Sequence, residues 1–95
     1  MRFLIVDDHA MIRGGVRRLL EEAYVSAAVA EAAGGEEALT RIAREPFDLV
    51  TLDLSLPGLG GLELLGRLAR LRPGLRVLVL SMHAEREFVR FDSGS

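Results

Sequence analysis

Cysteine and lysine are both absent from this chain, and tryptophan is absent as well. Without cysteine the chain can form neither a disulfide framework nor a thiolate metal site, which is typical of a reducing compartment and predicts the cytoplasm. All 12 basic residues are therefore arginine. Apolar runs are short, and each is interrupted by charge, proline or glycine before it could form a signal-peptide core or a membrane span.

The charges are balanced and interspersed, with a formal net charge of −2. No basic stripe or polybasic segment is present, so the sequence predicts direct contact with neither nucleic acid nor a membrane surface. A length of 95 residues with 49% apolar content predicts one compact domain over residues 1–95. Residues 92–95 are polar and breaker-rich, and they are expected to form a disordered tail.

Three predominantly apolar runs predict strands that are covered on both faces, as in a parallel sheet. They lie at residues 3–6, 49–54 and 77–80, and a weaker alanine-rich strand is predicted within residues 25–32. The segments between them have helical periodicity. Alternating strands and right-handed helical crossovers predict an α/β fold with a doubly wound parallel sheet.

Leucines at near-helical spacing mark the expected buried side of the third helix: Leu62, Leu65, Leu68 and Leu71. A fourth helix of about two turns is predicted from Ala84. Its expected inner side is formed by Phe88, Val89 and Phe91.

Polar side chains follow three of the predicted strands, at the edge of a parallel sheet where ligands bind. Asp7 and Asp8 follow the first strand, Asp53 ends the third, and Ser81 follows the fourth. Two carboxylates about 4 Å apart repel by about 4 kcal/mol at an effective dielectric near 20, so the three acids are expected to bind a cation or to hold protons. Oxygen ligands without cysteine select Mg²⁺ or Mn²⁺.

A metal held by these acids predicts phosphoryl chemistry. A carboxylate such as Asp53 can act as the nucleophile while the hydroxyl of Ser81 contacts another phosphoryl oxygen. Simpler interpretations remain for each residue alone, because the acid pair could cap the following helix and Asp53 could begin an Asx turn. His9 is interpreted as a solvated loop residue.

At these residues the sequence resembles the receiver domain of bacterial two-component response regulators. The motifs are residues 3–8, residues 48–61 with Asp-Leu-Ser-Leu-Pro-Gly, and residues 77–83. The resemblance extends over residues 1 to about 90, and residues 80–89 further resemble the NarL/FixJ type.

The resemblance implies a flavodoxin-like sheet with strand order 2-1-3-4 and a phosphoacceptor function. Asp53 would be phosphorylated by a histidine kinase, while Asp7, Asp8, Asp53 and the backbone carbonyl of Ser55 would bind Mg²⁺, with Mn²⁺ as a possible substitute. Ser81 matches the switch hydroxyl of the family. Activity would be limited to phosphorylation and dephosphorylation of the chain's own aspartate.

The family continues into a fifth strand with a lysine, a fifth helix and, in the NarL/FixJ type, a DNA-binding output domain. None of these is expected here, so the chain is interpreted as a truncated receiver. An alternative is a receiver-fold binding or dimerisation module with impaired or no phosphorylation. A haloacid-dehalogenase-like phosphatase is disfavoured, because Ser55 stands where that family has a second acid.

Loss of a fifth strand would leave the fourth strand as an apolar edge. Such an edge recruits another strand, so a homo-oligomer formed through residues 77–80 is expected.

Overall fold

Strands and helices alternate along most of the chain in the computed structural model, which describes residues 1–54, 60–80 and 88–92. The elements are β1 (Arg2–Val6), α1 (Ala10–Ala23), β2 (Ala28–Ala32), α2 (Gly35–Arg44), β3 (Leu49–Asp53), α3 (Gly61–Leu71), β4 (Arg76–Leu80) and β5 (Phe88–Asp92). Among these described helices, none combines the length and the apolar content that a membrane span requires.

The strands form one sheet in the order β2-β1-β3-β4-β5. The first four are mutually parallel, which confirms the doubly wound α/β fold and the order 2-1-3-4. β1 and β3 are interior strands, and apart from the half-buried Leu49 their apolar residues are almost completely buried. This burial explains why their sequences show continuous apolar runs rather than alternation.

The main core lies between the sheet and the helices α2 and α3. Leu4 and Leu52 from the central strands pack there with Ile42 of α2 and Leu68 of α3. Successive side chains of a strand point to opposite faces. Phe3 therefore faces the other side of the sheet, where its ring lies 5.2 Å from that of Tyr24 at the end of α1.

The predicted buried stripe of the third helix was confirmed for Leu68 and in part for Leu65, which packs half-buried against the core, and it was wrong for Leu62 and Leu71. Leu64 and Leu68 are fully buried, whereas Leu62 is 73% exposed and Leu71 is also exposed. The phase follows from Gly61, which begins α3 and lies directly against the backbone of Leu54. Residues three and seven positions after Gly61 share its side of the helix and therefore face the sheet.

The predicted fourth helix was wrong over residues 88–92. These residues form β5, which pairs antiparallel with β4. The segment is rich in valine and phenylalanine, which favour strands, and pairing satisfies the backbone groups along β4. The expectation that β4 is an unpaired edge was therefore also wrong. Asp92 belongs to β5 rather than to a tail, and Ala84 and residues 93–95 lie outside the described residues.

Candidate acidic site at the strand ends

The register of the central strands brings two predicted site residues level with each other. Val6 of β1 pairs with Leu52 of β3. The residues that follow, Asp7 and Asp53, therefore emerge side by side at the carboxyl edge of the sheet. The register of β1 and β3 thus determines where the two carboxylates meet.

Four side chains converge at this edge: Asp7, Asp8, His9 and Asp53. Each contributes one potential ligand atom, and these atoms all lie within 4.8 Å of one another. Asp7 is 2% exposed and Asp53 is 1% exposed, whereas Asp8 and His9 are exposed. The site therefore has two carboxylates at its base and a carboxylate and an imidazole at its rim. We call this group the acidic cluster.

The carboxylate of Asp7 uses its two oxygens differently. Oδ1 accepts a 2.8 Å hydrogen bond from the backbone N–H of His9, the residue that precedes α1. Oδ2 is buried and has no hydrogen-bond partner in the described part of the chain. A buried carboxylate oxygen without a donor is costly, and a cation at the cluster would satisfy it.

The interpretation of His9 as only a solvated loop residue was incomplete. Its ring is exposed, but Nδ1 lies 3.2 Å from Asp7 Oδ1 and 3.0 Å from Asp8 Oδ1. His9 also occupies the N-cap position of α1, without a side-chain capping bond. The signal available in the sequence was a histidine that directly follows two aspartates.

The cluster has the composition of a site for a hard divalent cation. Carboxylate oxygens are the ligands that Mg²⁺ and Mn²⁺ prefer, and partial exposure leaves room for the waters that Mg²⁺ retains. Bringing three acids this close is unfavourable unless positive charge is added. The acid residues present therefore fit the metal that the sequence predicts.

The remaining predicted site residues, Ser55 and Ser81, lie outside the described residues. The nearest described residues do lie at the same edge. Asp53 pairs with Leu80, and the N–H of Leu54 donates to the carbonyl of Leu80 at 3.4 Å. Ser55 and Ser81 thus follow adjacent strand ends in the sequence.

Sequence reasoning missed a network beside the acidic cluster. Arg13 and Arg17 of α1 both donate to Glu31 of β2, through their Nε atoms at 2.9 and 2.8 Å. The hydrogen bond from Arg17 is the main cause that holds the pKa of Glu31 below its usual value. The four-residue spacing of the arginines was visible in the sequence, but their carboxylate partner lies in a separate strand.

The chain matches the family model of the response regulator receiver domain over residues 3–91. It is 39% identical over 82 residues to the response regulator UvrY of Escherichia coli (strain K12), covering 86% of this chain and 38% of that protein. The chain therefore spans less than half the length of this relative.

Solved receiver structures are similar as well. The response regulator TrrA of Thermotoga maritima, in complex with Mg²⁺-BeF, gives a TM-score of 0.80 at 32% identity, covering 87% of this chain and 70% of that one. A response regulator of Burkholderia pseudomallei with a phosphorylated aspartic acid, calcium ion and citrate gives a TM-score of 0.77 at 37% identity, covering 87% and 48%. Motif, sheet order and both kinds of similarity agree that the chain belongs to the response regulator receiver domain family.

Proposed function

We propose that this chain is a phosphoacceptor in two-component signalling, phosphorylated on Asp53 by a histidine kinase in a Mg²⁺-dependent reaction in the cytoplasm. The observation that carries the proposal is the position of Asp53. It is buried at the carboxyl end of a central strand, with a carboxylate oxygen in the acidic cluster. The two similar structures support the proposal, because one contains Mg²⁺-BeF and the other a phosphorylated aspartic acid.

Each residue has a defined task in this proposal. Asp7, Asp8 and Asp53 would hold the metal through carboxylate oxygens, and the backbone carbonyl of Ser55 would be a further ligand. When bound, Mg²⁺ would neutralise charge on the phosphoryl group that is transferred. An oxygen of Asp53 attacks phosphorus, the bond from phosphorus to the donor breaks, and an acyl phosphate forms. The hydroxyl of Ser81 then contacts a phosphoryl oxygen.

The direct test is incubation with a small acyl phosphate and Mg²⁺, followed by intact mass measurement. We expect the mass of one phosphoryl group to be added to the wild-type chain, and nothing to be added to Asp53→Asn. The matched control is Asp48→Asn, which removes an exposed carboxylate immediately before the same strand. Modification of Asp53→Asn equal to that of wild type would contradict the assignment.

Metal binding is tested separately by thermal unfolding with increasing Mg²⁺. A ligand at about 100 times its dissociation constant stabilises the folded state by about 2.7 kcal/mol. We expect this stabilisation in wild type and its loss in Asp8→Ala and Asp53→Ala, because each carboxylate contributes to the charge that the ion neutralises. Glu36→Gln, which removes an exposed acid of α2, should retain it.

The two tests also separate the phosphoacceptor from the alternative of a receiver-fold binding or dimerisation module. Mg²⁺ binding without any phosphoryl adduct would favour that alternative. Size-exclusion chromatography with light scattering then measures self-association. The β4 edge is paired within the chain, so an oligomer would have to use another surface.

A further inference from the structure

We propose that Arg13 is a positioning residue for the metal ligand Asp7, an inference that rests on the proposed function. Arg13 lies in the first turns of α1, and its side chain is only 18% exposed. Its Nη1 donates a 2.7 Å hydrogen bond to the backbone carbonyl of Asp7, while its Nε donates to Glu31 at 2.9 Å. One planar guanidinium thus joins β2 to the residue that begins the acidic cluster.

The backbone of Asp7 is held on both sides. Its N–H donates to the carbonyl of Ala32 at 3.1 Å, which continues the pairing of β1 with β2. Its carbonyl is held by Arg13. Because the sheet ladder fixes the N–H side and Arg13 fixes the C=O side, the backbone from which the Asp7 side chain extends is held in place before any ion binds.

The position of the Asp7 backbone matters because it sets where the carboxylate oxygen Oδ2 lies. Oδ1 of Asp7 is engaged by the N–H of His9, and the buried Oδ2 has no hydrogen-bond partner in the described residues. Oδ2 can therefore coordinate a cation while Oδ1 keeps its hydrogen bond from His9. A rotation of the Asp7 peptide would shift the position of this oxygen within the acidic cluster. Groups that orient a metal ligand typically change metal affinity by about 10- to 100-fold when they are removed.

Arg17 provides a matched control within the same helix. It carries the same charge and donates to the other oxygen of Glu31 at 2.8 Å. Its backbone contact, however, is a 3.0 Å hydrogen bond to the carbonyl of Val29 near the start of β2. Replacing Arg17 therefore removes one positive charge, the ion pairs with Glu31 and Glu21 and the bond to Val29, but it leaves the backbone contact of Asp7 intact.

The experiment measures the Mg²⁺ dissociation constant of four chains by isothermal titration calorimetry: wild type, Arg13→Gln, Arg17→Gln and Arg13→Lys. We expect Arg13→Gln to bind Mg²⁺ about 10-fold more weakly than wild type, as is typical for loss of an orienting partner, and Arg17→Gln to remain within about twofold. Arg13→Lys keeps the charge but lacks the planar guanidinium that donates to Glu31 and to the carbonyl of Asp7 at the same time. It should therefore resemble Arg13→Gln. Equal affinities for Arg13→Gln and Arg17→Gln, or full recovery in Arg13→Lys, would overturn the proposal.

A second measurement does not require metal. Amide hydrogen exchange of His9 reports its hydrogen bond to Asp7 Oδ1, and we expect faster exchange in Arg13→Gln but not in Arg17→Gln. If wild type binds no Mg²⁺, the proposed function fails, and the exchange rates alone decide the positioning role. If wild type binds Mg²⁺ but both measurements are equal in the two variants, the positioning role fails and the proposed function stands.

Discussion

Gly61 gives the sharpest prediction about packing near the acidic cluster. A Cβ at this position would lie 2.8 Å from the carbonyl oxygen of Leu54 and would also overlap its Cα. Both are backbone atoms, so no rotamer change can make room. Gly66, five residues later in the same helix, differs in this respect: among the described residues, a Cβ there would have only the end of the Arg70 side chain within 4 Å, at 3.9 Å.

The same chemical change should therefore have opposite effects at the two positions. In a helix interior, alanine is more favourable than glycine by about 1 kcal/mol, so Gly66→Ala should raise the free energy of unfolding by about that amount. Overpacking a close contact typically costs about 1–3 kcal/mol, so Gly61→Ala should lower the free energy of unfolding. The two variants should differ by about 2–4 kcal/mol, the sum of these effects.

Urea denaturation followed by circular dichroism measures both variants against wild type. In a domain of this size about 1 kcal/mol corresponds to about 4–8 °C in Tm, so thermal unfolding resolves the difference as well. Leu54 follows Asp53 directly, and its displacement should also weaken Mg²⁺-dependent stabilisation in Gly61→Ala. If Gly61→Ala were as stable as Gly66→Ala, the close approach of α3 to the end of β3 would be refuted.

Three further predictions concern the core and the ion pairs. The pKa of Glu31 is lowered in the folded state, mainly by its hydrogen bond from Arg17, so its contribution to stability is complete above the ordinary value of 4.5 and is lost as the pH falls through the lowered value. The difference in unfolding free energy between wild type and Glu31→Gln should therefore shrink as the pH falls below 4.5 and through the lowered pKa of Glu31, and a constant difference would contradict the ion pairing. Leu68→Ala, at a fully buried position, should cost about 2–5 kcal/mol in urea denaturation, whereas Leu62→Ala, at the exposed position, should change stability by less than about 0.5 kcal/mol. Thr51→Val removes a buried hydroxyl that has no hydrogen-bond partner among the described residues, and it should raise Tm rather than lower it.

The sequence by itself determined the central part of this fold and the chemistry of its edge. Predominantly apolar runs predicted the buried parallel strands, because a strand covered on both faces buries most of its side chains. Aspartates after two of these runs predicted an acidic site, because parallel strands end at a common edge. The strand register, with Val6 beside Leu52, confirms that Asp7 and Asp53 meet there.

The tertiary structure determined features that hydrophobic periodicity in the sequence leaves open. In a leucine-rich helix several stripes are possible, and the contact of Gly61 with Leu54 selected Leu64 and Leu68 as the buried pair. Residues 88–92 are compatible with either a short helix or a strand, and the backbone groups of β4 selected the strand. The link from Arg13 to the carbonyl of Asp7 depends on how α1 lies across β1 and β2, an arrangement that no local pattern encodes.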